Sequence, residues 1–491
     1  MKFIPKSGKG FIRVRFVEGT LNTFTGEEMR IGTGQGEKSR RHLPGLRSRL
    51  SHKAPPLNRR KLILFLRKVI SLAKQNKIKK LDIDFKDICA LAPKNISDHD
   101  LGALAGEAFV MADYEFVQYK QKPKEGFNFI ETVAVRNTSE EGKPGFWKGH
   151  QIATEVNETR TLANTPGGDM TPKKLAEAAK KAVKGTKIKV KVLGRKEMRK
   201  LGMGAVLGIA QGSMEEPKFI IMEYSRGQTS GKFQRSDLRK PVVLIGKGVT
   251  FDTGGLQVKP GDSMYEMHMD MSGGAAVIHA VALAAKLKIK ANIVGLIPAV
   301  ENSPSGNAVR PGDILKSLSG KTIEILHTDA EGRVILADAI TYAKRYYPAC
   351  VIEVSTLTGA ALVALGQQAS GLMTPDQKFE NLMRELGEKS GDYVWPLPLW
   401  EEYEDMVKGT FGDIPNISTA GNSRYGGVIA GGMFLREFAK ELKCPWAHLD
   451  IAPRMTAAPN EFLAKGAAGV PVRLLLKLIE HHAKQKSFAE E

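Results

Sequence analysis

From residue 186 onward, short apolar runs rich in β-branched residues alternate with longer stretches of helical periodicity. The runs at 188–193, 219–224, 242–245, 293–297, 323–326 and 351–354 read as strands, and those at 274–287 and 334–346 as helices. That alternation predicts a mostly parallel central sheet flanked by helices on both faces, with any site at the carboxyl ends of the strands. Upstream, 10–17 and 79–85 are strand-like. Between them, 59–75 places Leu62, Leu64, Phe65, Val69 and Ile70 roughly on one face of a helix. Asn164-Thr165-Pro166-Gly167-Gly168 has turn chemistry, Thr171 and Pro172 suit the start of a helix over 173–184, and Gly185 suits its stop. The expected class is α/β: a smaller N-terminal α/β domain over 1–150, a linker over 151–172 and a larger C-terminal domain over 173–491.

Composition narrows this reading. At 491 residues, one compact core is not expected. No apolar stretch follows the opening Met1-Lys2-Phe3-Ile4-Pro5-Lys6, and no run is long enough to cross a bilayer, so the expectation is a cytoplasmic protein without a membrane partner. Cys89, Cys350 and Cys444 are odd in number and widely spaced, which argues against both a disulfide framework and a zinc–thiolate site.

Candidate chemistry gathers in two stretches. In His327-Thr328-Asp329-Ala330-Glu331-Gly332-Arg333, a strand-like run passes through a turn into a helix-like one. If the turn stays extended, Asp329 and Glu331 point to one side with Arg333 close by. Two converging carboxylates repel unless a cation sits between them, and a divalent metal would serve; acids before a helix also cap it, and spacing alone does not choose. The second stretch, 241–260 followed by 267–274, sets Lys247, Asp252, Lys259 and Asp270 in the most apolar part of the chain. A phosphate-loop reading fails there, since that motif needs Gly where Pro241 stands and Ser or Thr where Gly248 stands. Joined to Asp329 and Glu331, these groups suit two hard or borderline cations bridged by carboxylate oxygens.

Gly246-Lys247-Gly248-Val249-Thr250-Phe251-Asp252-Thr253-Gly254-Gly255, Lys259, Asp270-Met271-Ser272-Gly273-Gly274 and Thr328-Asp329-Ala330-Glu331-Gly332-Arg333 together resemble the leucyl aminopeptidases, the cytosol aminopeptidase family of two-metal exopeptidases. The resemblance continues through 354–360, 446–452 and 465–473 and covers about two thirds of the chain. It implies a homohexamer that releases leucine-like residues from peptides with a free N-terminus. It implies that Asp252 and Glu331 bridge two divalent ions, Asp329 completing one site and Lys247 with Asp270 the other; zinc or manganese are expected, with cobalt or magnesium in the exchangeable site. By the same resemblance Lys259 stabilises the oxyanion, Arg333 holds a bicarbonate that acts as general base, and Met267, Thr356 and Gly359 line the pocket for the first side chain.

His327 departs from the family, which more often has Asn there, and is expected to make local hydrogen bonds, as are His448 and Asp450. The Gly-rich segment 422–432 resembles family packing without assignable chemistry. A two-metal phosphoesterase could use the same acids, lysines and arginine, but no phosphate-cradling loop accompanies them. The formal charge of +20, with basic runs at 38–42, 47–49, 59–61 and 77–80, leaves room for weak nucleic-acid binding.

Overall fold

The computed structural model describes residues 1–17, 22–24, 27–32, 56–225, 240–419 and 425–484, and the chain divides into two compact units. The first comprises Met1–Asn157 with Pro459–Lys465, and the second Glu158–Ala458 with Gly466–Glu491. The basic runs at 38–42 and 47–49 and the start of the Gly-rich segment at 422–424 lie outside the described residues.

In the first unit a six-stranded sheet runs Lys2–Ile4, Thr132–Arg136, Lys80–Asp84, Ile12–Val17, Glu28–Gly32, Thr23–Phe24. All neighbours are parallel except the last pair. The helix Arg59–Gln75 begins at Asn58, whose side chain accepts from the Lys61 N–H at 2.9 Å. It buries Leu62, Phe65, Val69 and Ile70 as the periodicity predicts, with Ile63 and Leu66, while Leu64 is only half-buried.

The stretch expected to be a linker differs. A continuous helix, Gly142–Asn164, occupies its first half, and the division between the units falls inside that helix. Ile152, Ala153, Val156 and Ala163 are all buried, an apolar stripe at helical spacing that the turn residues after Asn164 overshadow in the sequence. The following helix, Pro172–Ala182, starts on a Thr171 cap as predicted.

The second unit is built on a nine-stranded sheet. Its order is Val394–Pro396, Ser370–Met373, Trp446–Asp450, Cys350–Ser355, Val242–Gly246, Ile293–Asn302, Lys218–Tyr224, Lys189–Leu193, with Gly248–Asp252 beside the far half of Ile293–Asn302. The central strands are parallel; antiparallel pairs appear only toward the edges. Buried residues on both faces explain why these strands read as unbroken apolar runs. Val242, Leu244, Ile352 and Val354 pack with the helix Ser272–Lys286 on one face. On the other, Val243, Ile245 and Val351 pack with the helices Glu331–Ala343 and Gly427–Ala439.

Two expectations need correction. The run at 323–326 is not a strand of this sheet: only Thr322–Glu324 is a strand, in a separate three-stranded sheet with Ile314–Lys316 and Ile414–Pro415. The helices also begin earlier than predicted, at Ser272 and Glu331, so that Gly273 and Gly332 lie inside them. Those glycines serve close approach. A Cβ on Gly273 would stand 2.2 Å from the Val354 carbonyl oxygen, and one on Gly332 would stand 2.7 Å from Lys247 Nζ.

Candidate active site

Three chain segments meet beyond the carboxyl ends of the central parallel strands. Val242–Gly246 delivers Lys247, Gly248–Asp252 ends on Asp252, and the turn into the helix Glu331–Ala343 brings Asp329 and Glu331. Asp270 closes the set, at the end of the short helix Met267–Met269. Asp329 and Glu331 converge for a reason other than the one the spacing suggested. Ala330, at φ −105° and ψ 39°, breaks the extended chain, and Glu331 is already the first residue of the helix. A turn, not a pleat, aims both carboxylates inward.

The two lysines stand between the acids. Lys247 Nζ lies 2.8 Å from Asp270 Oδ2 and 2.8 Å from Glu331 Oε1, and donates to the Thr356 carbonyl at 3.0 Å. Lys259 Nζ lies 2.9 Å from Asp252 Oδ2 and also contacts Asp329 Oδ1. Burial disfavours the Lys247 ammonium, but Asp270, Glu331 and Asp252 outweigh it and hold its pKa above the ordinary lysine range. Lys259 is raised in the same way, burial being outweighed by Asp252, Glu331 and Asp329. Burial, reinforced by like charges, pushes Asp270, Asp329 and Glu331 upward.

This balance bears on metal binding. Oxygens of Asp252, Asp329 and Glu331 lie within 4.8 Å of one another, close enough to share an ion. Four carboxylates face two ammonium groups, so the cluster carries excess negative charge. Glu331 Oε2 is buried without a hydrogen-bond partner among the described residues, an orphan that a cation would satisfy. The donor set therefore fits a divalent ion.

Supporting residues fix these ligands. Asn302, fully buried, donates to Asp252 Oδ1 at 2.8 Å and to the Thr328 carbonyl at 3.0 Å, tying the two ligand segments together. Gln257 and Thr328 exchange backbone and side-chain bonds of 2.9 and 2.7 Å across the same gap. Asn416 grips the turn before Asp329 and accepts from Arg333 Nη1 at 2.8 Å through its carbonyl. The sequence reading passed over all of these. Asn302 alone left a signal, as a polar residue closing an apolar run of strand length.

Arg333 is buried, and burial pushes its pKa down to about 10 against the opposing pull of Glu331 and Asp450. Its Nε has no hydrogen-bond partner among the described residues. His327 Nδ1 accepts from the Asp329 N–H at 3.2 Å, the local bond expected of it. His448 pairs with Glu353 on the neighbouring strand, and Asp450 accepts from Thr358 Oγ1 at 2.7 Å and from the Leu357 and Ala452 N–H groups, both at 3.1 Å. Neither joins the carboxylate cluster.

The cluster forms the floor of a cavity of about 460 Å³. Met267, Thr356 and Gly359, the residues singled out for a first-side-chain pocket, all line it, joined by Leu357, Leu362 and Met455. Its wall is thus apolar and its floor charged.

The described helices include none long and apolar enough to cross a membrane. The model of the cytosol aminopeptidase family, catalytic domain, matches residues 157–476. A probable cytosol aminopeptidase of Azoarcus sp. (strain BH72) is 45% identical over 366 residues, 74% of this chain and 70% of that protein. One from Roseiflexus castenholzii (strain DSM 13941 / HLO8) is 42% identical over 385 residues, 77% of this chain and 76% of the relative. Among solved structures, the bottromycin maturation enzyme BotP in complex with Mn superposes with a TM-score of 0.81 at 26% identity, over 97% of this chain and all of that one (100%). With the acid cluster, the cavity above it and relatives of this closeness in agreement, the chain belongs to the cytosol aminopeptidase family and is a metal-dependent aminopeptidase.

Proposed function

We propose that the chain releases single, preferably leucine-like residues from the free N-termini of peptides, using two divalent ions. The observation that carries this reading is the convergence of Asp252, Asp329 and Glu331, with Glu331 Oε2 orphaned, on the floor of an apolar-walled cavity. Asp252 and Glu331 would be shared between the ions, Asp329 completing one site and Lys247 with Asp270 the other. Bound there, the ions supply Lewis acidity and lower the pKa of a water toward neutrality. Manganese has precedent in BotP, and zinc suits a set that mixes oxygen donors with an amine; cobalt or magnesium would suit the more exposed side, where Asp329 keeps 29% of its side-chain surface.

The chain's own groups do the rest. Lys259, in contact with Asp252 and Asp329 and lining the cavity, would donate to the scissile carbonyl oxygen as charge develops on it. Arg333, with its Nε unpaired, would hold a small anion such as bicarbonate, which can take the proton that a guanidinium cannot. The apolar wall from Met267 to Met455 accepts the first side chain, and the acidic floor favours an amino group beside it. Apolar walls discriminate weakly among aliphatic side chains, so the leucine preference is graded.

Self-association, with the homohexamer as the proposed form, is supported only as far as large apolar side chains are left exposed on the second unit: Trp400 at 62%, Phe411 at 87% and Tyr425 at 74%. A cytoplasmic location agrees with the name of the relatives. Weak nucleic-acid contact is supported by charge, since residues 173–200 carry twelve lysines and arginines against two glutamates.

The test compares leucine amide with its N-acetylated form. Turnover of the free amine with at least a hundredfold loss on acetylation is expected; equal cleavage of the two would remove the exopeptidase reading.

A further inference from the structure

We propose that Asn416 is a positioning residue that sets the ligand turn and the arginine together, so that metal affinity and turnover both depend on a side chain that touches neither metal nor substrate. The inference rests on the metal-site reading above. Asn416 is fully buried and follows Pro415, where the pairing between Thr322–Glu324 and Ile414–Pro415 ends. Its own N–H still donates to the Glu324 carbonyl at 2.9 Å. Beyond that point the strand leading to the ligand turn has no further backbone neighbour in this pair, and the Asn416 amide takes over the role. Its Oδ1 accepts from the N–H groups of Leu326 at 2.8 Å and His327 at 3.1 Å. Its Nδ2 donates to the His327 carbonyl at 2.6 Å and to that of Ala330 at 3.5 Å.

Those contacts bracket Asp329 on both sides, since His327 and Ala330 are the residues at which the chain enters and leaves the turn. The backbone carbonyl of the same residue accepts from Arg333 Nη1 at 2.8 Å, so the guanidinium is registered to the same point. The next two residues, Ile417 and Ser418, line the cavity. One residue thereby references the ligand turn, the arginine and one wall to each other. The chemistry explains the residue type: the site needs a planar group with one acceptor and one donor on a one-carbon stem. Aspartate lacks the donor, glutamine is a carbon too long, and serine cannot span both edges. Groups that orient metal ligands from outside typically change affinity by about ten- to a hundredfold when removed.

The test is calorimetric titration of Mn²⁺ into the chelator-treated full chain, alongside melting temperature and the kinetics of the reloaded protein. Asn416→Ala is expected to bind Mn²⁺ about tenfold or more weakly and to lose kcat by a larger factor than KM changes. Wild-type-like affinity and kcat in that variant would overturn the proposal. Asn416→Asp keeps the shape and both acceptor contacts but turns a carboxylate oxygen toward two carbonyls, and decides the matter if the alanine variant does not fold. By charge alone it should bind a cation more tightly, so weaker binding despite the added charge supports positioning, whereas equal or tighter binding with unchanged kcat overturns it. A wild-type chain that takes up no Mn²⁺ would overturn the metal reading and this proposal with it. Loss confined to the Asn416 variants separates the two.

Discussion

At the scale of single residues, the six ionisable groups of the floor divide into holders and a helper, and the division is measurable. Asp252 and Asp329 each touch Lys259; oxygens of the acids, with Glu331, lie close enough to share an ion, and the proposed role of Lys259 is to donate to the substrate. Asp252→Ala and Asp329→Ala are therefore expected to lose bound metal and activity together, read by elemental analysis after dialysis and by leucine amide hydrolysis. Lys259→Ala should keep its metal and lose on the order of a hundredfold in kcat, the usual cost of one oxyanion donor. Near wild-type rates in a metal-loaded Asp252→Ala variant would contradict the assignment. Residue types and spacing made the acids and lysines legible in the sequence, because charged side chains inside apolar runs must be paired or used. Asn416 escaped notice because an asparagine outside a patterned element looks the same whether it caps a turn or braces a ligand turn from ninety residues away.

At the scale of elements, the helix Glu331–Ala343 does more than present Glu331. Asp338 on it is fully buried and accepts from the N–H groups of Leu318 at 2.7 Å and Val206 at 3.0 Å. It thus ties the helix Gly204–Ile209 and the loop after Ile314–Lys316 to the element that carries the site. Burial pushes its carboxyl up from the ordinary 3.8 to about 7, the backbone donors opposing. A folded-state pKa above the unfolded one means that the native state binds the extra proton. The contribution is present in full below about pH 4 and is lost as pH rises through about 7. Asp338→Asn cannot titrate, so its melting temperature should fall less between pH 4 and pH 7 than that of the wild type; parallel curves would contradict this.

The elements themselves were largely readable. The alternation of strand and helix patterns holds for the second unit because its central strands are buried on both faces. The late helix starts share a cause: Gly273 and Gly332 look like helix breakers in isolation, and only the nearby Val354 carbonyl and Lys247 side chain show why a helix must carry them. The strand before Asp329 was read into the wrong sheet because an apolar run records that it is buried, not against what.

At the scale of the whole molecule, the formal charge of +20 and the exposed aromatic side chains Trp400, Phe411 and Tyr425 are the surface features that bear on association. Lys189 and Lys191 lie exposed on the edge strand Lys189–Leu193, where lysines oppose strand addition by another chain. Association should instead use the exposed aromatics. If the proposed assembly uses them, Trp400→Ser combined with Phe411→Ser is expected to lower the mass measured by light scattering, and an unchanged mass would place the contact elsewhere. The central claim is that catalysis requires divalent metal held by Asp252, Asp329 and Glu331, with Lys247 and Asp270. Its most direct measurement is leucine amide hydrolysis before chelation, after chelation and after adding back zinc, manganese or cobalt. The account predicts loss of activity on chelation and recovery on metal return; full turnover by the metal-free protein would contradict it.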